Sequence, residues 1–207
     1  MRALILAALL VLLPACGRAQ APATGMLTAA PGQAEATFAG GCFWCTESDF
    51  EKLPGVIAAQ SGYSGGTLAN PGYEAVSGGG TGHTEAVRVI FDPKKISYAQ
   101  LLEHFWRDID PTDSGGQFCD RGSQYRSAIF FHDEAQRVAA EASKQKLEQS
   151  GVLKRAIVTE ITRLDAFYPA EDYHQDYYKN NSRRYRYYRS GCGRDRRLVD
   201  IWGKSSK

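Results

Sequence analysis

Gly40-Gly41-Cys42-Phe43-Trp44-Cys45 constrains this chain most, because it must turn a strand into a helix while carrying two thiols. The residues before it, Glu35-Ala36-Thr37-Phe38-Ala39, suit a short buried strand, and the paired glycines signal a turn. From Thr46 to Lys52 acidic residues come early and a lysine late, the order a helix dipole favours, so a helix is expected there. A cysteine at such a helix start faces unpaired backbone N–H groups, which favour thiolate and predict a pKa below the free value of about 8.5. Phe43 and Trp44 supply an apolar wall beside it. The local expectation is an activated nucleophile with a small hydrophobic pocket.

Downstream, Val56 to Gly62 suits a strand, followed by a glycine-rich loop from Ser64 to Gly82. Thr84 to Phe91 alternates polar and apolar residues, the mark of a half-buried strand. Ser97 is placed to cap a helix whose apolar stripe is Leu101, Leu102, Phe105, Trp106 and Ile109. Pro111 through Gly122 reads as a second loop, holding Asp113, Cys119 and Asp120. Strands are expected at Tyr125 to Phe131 and Ile157 to Leu164, separated by a helix from Asp133 to Leu147. Tyr173 to Tyr178 reads as a short helix before a tail rich in Arg, Tyr and Gly. The order predicts an α+β two-layer sandwich, ferredoxin-like, with helices on a mixed or antiparallel sheet. Long loops near Gly66 and Gly115 are expected at the active site.

Arg2 followed by the apolar run Ala3 to Leu13 reads as an export signal, too short to span a bilayer. Ala19-Gln20-Ala21 offers a small-x-small cleavage site, giving a signal peptide over 1–21; Leu13-Pro14-Ala15-Cys16 offers a lipobox at 13–16, with a lipid anchor on Cys16. Residues 22–34 read as a flexible linker and 35–203 as one domain that includes the Arg/Tyr-rich tail. Losing Arg2 and Arg18 with the leader brings 25 basic residues to 23, equal to the 23 acidic ones. A near-neutral mature chain argues against bulk attraction to nucleic acid or anionic membrane. Cys42, Cys45, Cys119 and Cys192 then remain for an oxidising compartment, the periplasm being expected.

Beyond the Gly-Cys-Phe-Trp-Cys-Thr-Glu run, four further motifs follow in order. They are Gly62-Tyr63-Ser64-Gly65-Gly66, Gly82-His83-Thr84-Glu85-Ala86-Val87, Gly122-Ser123-Gln124-Tyr125-Arg126-Ser127 and Ala170-Glu171-Asp172-Tyr173-His174-Gln175. Together they resemble the peptide methionine-S-sulfoxide reductases, the A-type family, over about Ala36 to Asn180. The resemblance implies that Cys42 attacks the sulfoxide sulfur and becomes a sulfenic acid. A second thiol then condenses with it, and a thioredoxin-like donor reduces the disulfide. No metal or organic cofactor is implied. Glu85 matches the family's proton donor, a role that needs an apolar site to raise its pKa. Tyr73 and Tyr125 match tyrosines that hold the sulfoxide oxygen, Asp120 a site acid near Tyr125, and Tyr177 a tyrosine of the same pocket. Phe43 and Trp44 match the residues that hold the substrate methyl group. A pocket fixing both methyl and oxygen accepts one sulfur epimer only, and the resemblance implies the S epimer, protein-bound or free.

The second thiol stays open between Cys45, one helical turn from Cys42, and Cys192, flanked by glycines on a segment expected to swing in. Cys119, next to Asp120, is a further thiol that could come near, a buried bystander being the commoner reading. A monomer is expected. Ser77 to Thr84 lacks the lysine of a phosphate loop, and the four histidines do not sit at zinc-ligand spacing. Arg183 to Arg197 is expected to pack its rings on the domain with guanidinium groups in water. The rival reading is an exported thiol–disulfide oxidoreductase using Cys42 and Cys45. It lacks an assigned cis-proline loop and has no use for Glu85.

Overall fold

The structure, a computed structural model, describes residues 25–203. The leader at 1–21 and its Cys16 lie outside the described residues. From the expected linker, the Leu27 amide donates to Gln60 Oε1 (2.9 Å) and the Ala29 amide to Glu35 Oε1 (2.8 Å), so this stretch lies along the sheet.

The expected first strand forms as β1 (Ala34–Gly40), followed by α1 (Phe43–Glu51), β2 (Val56–Ser64), α2 (Tyr73–Ser77), β3 (Thr84–Phe91) and α3 (Tyr98–Arg107). A small hairpin, β4 (Gly116–Gln117) and β5 (Asp120–Arg121), precedes a 3₁₀ turn at Ser123–Tyr125 and β6 (Ser127–Phe131). Then come α4 (Glu134–Gln149), β7 (Glu160–Arg163), β8 (Phe167–Pro169), α5 (Tyr177–Asn180), α6 (Ser182–Cys192) and α7 (Arg194–Trp202). The main sheet runs β7-β6-β1-β3-β2-β8, antiparallel throughout except for the parallel β6–β7 edge. Its central order β6-β1-β3-β2, linked through α1 and α3, is the split β-α-β arrangement of a ferredoxin-like core. The α+β expectation holds, with an added strand at each edge.

Alternation decides what each strand buries. Phe38 of β1 pairs with Val87 and Ile129 and turns toward the helices, where its ring stacks on Phe50 of α1 (4.8 Å) and Phe105 of α3 (5.1 Å). The other face carries small side chains, Ala39, Ala86 and Ala128, beneath Phe130 and Phe167. Ser97 caps α3 as expected and forms a full capping box with Gln100. Phe38→Ala opens a cavity between three elements and is expected to cost about 3–5 kcal/mol in urea unfolding. A loss below about 1 kcal/mol would show that Phe38 is not central to the core.

The loop expected from Ser64 to Gly82 contains α2, and the second loop contains the β4–β5 hairpin. The Arg/Tyr-rich tail forms two helices broken at Gly193, whose φ is +73°. On β2, just beyond the last residue paired with β8, Gln175 takes the place of a strand. Its Oε1 accepts from the Ser61 amide (3.0 Å) and its Nε2 donates to the Ser61 carbonyl (2.9 Å).

Candidate active site

Gly41 has φ +85°, and a Cβ there would lie 2.6 Å from the Gln117 Cβ, so only glycine fits between β1 and the hairpin. The tight turn lets α1 begin at Phe43, three residues before the expected Thr46, with Cys42 as N-cap. The helix-end donors are nevertheless spent elsewhere. The Phe43 amide donates to Glu85 Oε2 (2.8 Å), and the Cys45 and Thr46 amides donate to the Cys42 carbonyl (3.1 and 3.2 Å). Cys42 is only 6% exposed. Burial therefore pushes its thiol well above the ordinary value, helped by the Cys45 hydrogen bond and the charges of Cys45 and Glu85. The expectation of a lowered Cys42 pKa is corrected: the positive helix end is present, but a carboxyl has taken its amide. Cys45 moves the other way, held down first by its hydrogen bond from Cys42 and then, against burial, by Arg194 and Arg189.

Cys42, Phe43, Trp44, Tyr73, Glu85, Asp120, Tyr125 and Tyr188 line an open cavity of about 80 Å³. Glu85 enters from the start of β3, opposite Tyr63 on β2, and is 3% exposed. Burial raises its pKa to about 8 against the opposing Phe43 hydrogen bond, so the carboxyl holds a proton at neutral pH. Asp120, on β5, is also pushed up by burial and accepts a hydrogen bond from the Tyr188 hydroxyl. Tyr73 opens α2, where its amide donates to Glu171 Oε1 (2.8 Å); Tyr125 closes the 3₁₀ turn that follows Gly122.

Tyr177 is not a wall of this cavity. Its ring stacks on Trp44 at 3.7 Å and 5°, behind the indole, so its sequence-predicted place is corrected from lining to support. Tyr188 of α6 takes the wall position and meets Trp44 edge-on at 5.8 Å. The sequence signal for Tyr188 is its placement one turn before Cys192. Trp44 is fixed at its other end by His174, whose Nδ1 accepts from the indole Nε1 (3.0 Å). Burial lowers the His174 pKa to about 4, leaving a neutral acceptor. The Ala170–Gln175 motif thus builds the support: Glu171 also accepts from the Tyr63 hydroxyl (2.9 Å). Beneath α1, Glu47 accepts from Ser61 Oγ (3.0 Å) and the Asp176 amide (3.1 Å), and burial raises its pKa to about 8.

Cys45 is 2% exposed in the first turn of α1, among Cys42, Tyr177 and Tyr185. Cys192 ends α6 rather than riding a free segment, and it is bonded to Cys119 (S–S 2.10 Å). Its Sγ lies 3.9 Å from Asp120 Oδ2, at the edge of the cavity. Cys119 is neither buried nor a bystander: it is exposed at the tip of the β4–β5 hairpin. Two tail arginines also depart from expectation. Arg189 binds Asp49 (2.8 and 2.9 Å), and Arg194, 2% exposed, donates to the Gly40 and Asp108 carbonyls (3.0 and 2.7 Å). Arg189 is drawn in by the Asp49 carboxylate of α1, and Arg194 by carbonyls just before α1 and just after α3.

Among the described residues, two groups bring three ligand-type side chains together. In Cys119-Asp120-Cys192 the sulfurs are tied in the disulfide; Glu47-Glu51-Asp176 is occupied by Ser61, Tyr178 and Lys179 donors. Neither donor set is free to take a metal in this state.

Residues 34–206 match the sequence model of a family described as peptide methionine sulfoxide reductase. A peptide methionine sulfoxide reductase MsrA from Bacillus licheniformis is 54% identical over 82% of this chain and 93% of its own length. The MsrA/MsrB protein of Vibrio cholerae is 54% identical over the same share, which spans only 45% of that longer protein. Among solved structures, reduced Mxr1 from Saccharomyces cerevisiae superposes with a TM-score of 0.71 at 32% identity, covering 76% of this chain and 91% of that one.

Proposed function

Because the chain belongs to the peptide methionine sulfoxide reductase family, we propose that it reduces the S epimer of methionine sulfoxide, protein-bound or free, at Cys42. The observation that carries the assignment is a buried, protonated Glu85 beside the Cys42 thiol in one aromatic pocket. Phe43 and Trp44 take the methyl group, while Tyr73, Tyr125 and Asp120 surround the oxygen. Glu85 gives its proton to that oxygen as Cys42 sulfur attacks the substrate sulfur. The adduct then collapses: the hydroxyl moves from the substrate sulfur to Cys42 sulfur, the substrate S–O bond and the transient sulfur–sulfur bond break, and methionine leaves with Cys42 as sulfenic acid. Cys45 or Cys192 then displaces water to give a disulfide, which a thioredoxin-like dithiol reduces. Thiols supply both electrons, so the balance closes without a metal or organic cofactor.

Cys45 and Cys192 divide the resolving role unequally in geometry. Cys45 shares a hydrogen bond with Cys42, whereas Cys192 first has to be released from Cys119. The rival disulfide oxidoreductase is disfavoured by the same site, since a protonated carboxyl ringed by tyrosines has no part in thiol exchange. Export through the leader at 1–21, to a periplasmic soluble or Cys16-anchored form, belongs to the same proposal and rests on Arg2 and the apolar run alone. No helix among the described residues is long and apolar enough to cross a membrane.

Purified protein with dithiothreitol is expected to convert a blocked methionine S-sulfoxide and to leave the R epimer unreacted, read by chiral chromatography. Equal consumption of both epimers, or of neither, would sink the assignment.

A further inference from the structure

Three donors of metal-ligand type meet where the β4–β5 hairpin touches the end of α6. The donor atoms of Cys119, Asp120 and Cys192 all lie within 4.8 Å of one another. The disulfide occupies both sulfurs in this state, and reduction frees them as thiols on the same two elements. The Cys119 and Cys192 Cα atoms are 5.0 Å apart, and Cys192 Sγ stands 3.9 Å from Asp120 Oδ2. In a tetrahedral zinc site, with Zn–S of about 2.3 Å and Zn–O of about 2.1 Å, adjacent sulfur and oxygen lie about 3.6 Å apart and two sulfurs about 3.8 Å. The sulfur–oxygen edge is thus nearly in place, and the sulfurs need only part by side-chain rotation.

The surroundings suit anionic donors. The Cys119 amide donates to Cys192 Sγ (3.2 Å), a bond that favours thiolate once the sulfur is free. The Tyr188 hydroxyl donates to Asp120 and fixes the carboxylate from outside, as the outer partners of metal ligands do. Arg194 lies over the ring of Phe118 (4.6 Å), the neighbour of Cys119, and favours the ionised form of Asp120. Two thiolates, a carboxylate and that guanidinium leave a net double negative charge, the complement of a divalent cation. Cys119 is exposed, so an ion enters from solvent, whereas Cys42 and Cys45 are 6% and 2% exposed. The acidic group Glu47-Glu51-Asp176 has no sulfur and is held by Ser61, Tyr178 and Lys179.

We infer that the reduced protein binds one thiophilic divalent cation, of the zinc type, through Cys119, Asp120 and Cys192, with water as the fourth ligand. Sulfur donors select such an ion over magnesium or calcium. Ion and disulfide are alternative occupants of the same two sulfurs. When diamide takes two electrons from the ligated thiolates, the S–S bond forms, both metal–sulfur bonds break and the cation leaves. Diamide becomes its hydrazine with two protons from water. Binding is independent of the reductase reading, and one consequence rests on it. The ion takes Asp120 from the oxygen pocket and ties Cys192 to the hairpin, so the loaded enzyme is idle.

Protein reduced with a phosphine and desalted without oxygen is titrated with zinc sulfate, and with cadmium for its thiolate charge-transfer absorption. One equivalent is expected to bind to reduced protein and none to oxidised protein. Equal uptake by both, or by neither, overturns the site. Cys119→Ser, a change at an exposed side chain, and Asp120→Asn should each weaken binding by about 10-fold or more, since an outer partner alone is worth about 10–100-fold. Cys42→Ser with Cys45→Ser should bind like the parent; loss of binding there moves the ion to α1 and overturns the assignment. Diamide should release zinc to a colorimetric chelator as the Cys119–Cys192 bond forms, and an ion kept after that bond has formed is not held by these sulfurs. Single-turnover methionine release should be lost with zinc bound and restored by EDTA. Equal release in both arms ends the claim on Asp120, whereas no methionine in the metal-free arm sinks the reductase reading and leaves the ion site standing.

Discussion

Cys42→Ser protein is expected to form no methionine even in a single turnover. No other group lining the cavity is a sulfur nucleophile, and a serine hydroxyl would have to ionise in a site that already pushes the Cys42 thiol upward. A loss on the order of 10⁵-fold or more follows, as for removal of a covalent nucleophile. The comparison that gives this result meaning is the set of single serine variants at Cys45 and Cys192. Each retains Cys42, Glu85 and the aromatic wall, so each should still release one equivalent of methionine. The variant that lacks the resolving thiol then stalls as a Cys42 sulfenic acid, which dimedone traps. Methionine release by the Cys42→Ser protein would place the chemistry on another residue.

Glu85→Gln is expected to slow sulfoxide reduction by about 10²–10⁴-fold, the ordinary worth of a positioned proton donor. The amide keeps an oxygen for the Phe43 N–H, so the start of α1 survives and the loss reports on the proton. The pH dependence separates the roles further. Glu85 has a pKa of about 8, raised by burial, so wild-type reduction should fall as pH rises through 8 and the donor is lost. The variant lacks that limb. Above pH 8 the ionised Glu85 also holds the Cys42 thiol up, so the variant's Cys42 should be alkylated by iodoacetamide faster than wild type there. A linkage consequence has the same origin. A carboxyl whose pKa rises from about 4.3 unfolded to about 8 folded stabilises the fold fully at low pH and loses that contribution as pH climbs to 8. Glu85→Gln should therefore gain stability over wild type at pH 8 and above. An unchanged reduction rate across pH would end the donor assignment.

Much of this molecule is legible in its sequence where one local rule dominates. Ser97 as a cap and the stripe from Leu101 to Ile109 appear as expected, whereas Thr84–Phe91, expected to be half-buried, is a central strand buried at every residue but Arg88, because both faces of the sheet are covered there. The tail was illegible as helix because its inward positions are not apolar. Tyr185, Arg189 and Arg194 face inward, and arginines in such places read as solvent-facing until Asp49 and the Gly40 carbonyl are seen to meet them. The candidate site was legible through its motifs, which place Cys42, Phe43, Trp44, Tyr73, Glu85, Asp120 and Tyr125 at one cavity. Tyr177 and Tyr188 exchanged places because tyrosine spacing does not say which ring faces an indole and which a carboxylate. The electrostatics of Cys42 were misjudged for a similar reason. Whether a helix-end amide serves sulfur or carboxyl depends on a strand 42 residues away.

Gln175 has a consequence for how such a protein coexists with the chains it handles. Oxidised methionine is most accessible in unfolded segments, and an open strand edge invites such segments to zip on by backbone pairing. β8 pairs with Gly62 to Ser64 of β2, and just beyond it the Ala170 amide still donates to the Ser61 carbonyl (2.9 Å). By offering an amide oxygen and an amide nitrogen to both polar groups of Ser61, Gln175 acts as a one-residue counterfeit strand that extends the seal. Its neighbour His174 meanwhile holds Trp44 at the pocket. A single tripeptide stretch, His174 to Asp176, thus ties the Trp44 indole, the edge of β2 and the Glu47 carboxyl together.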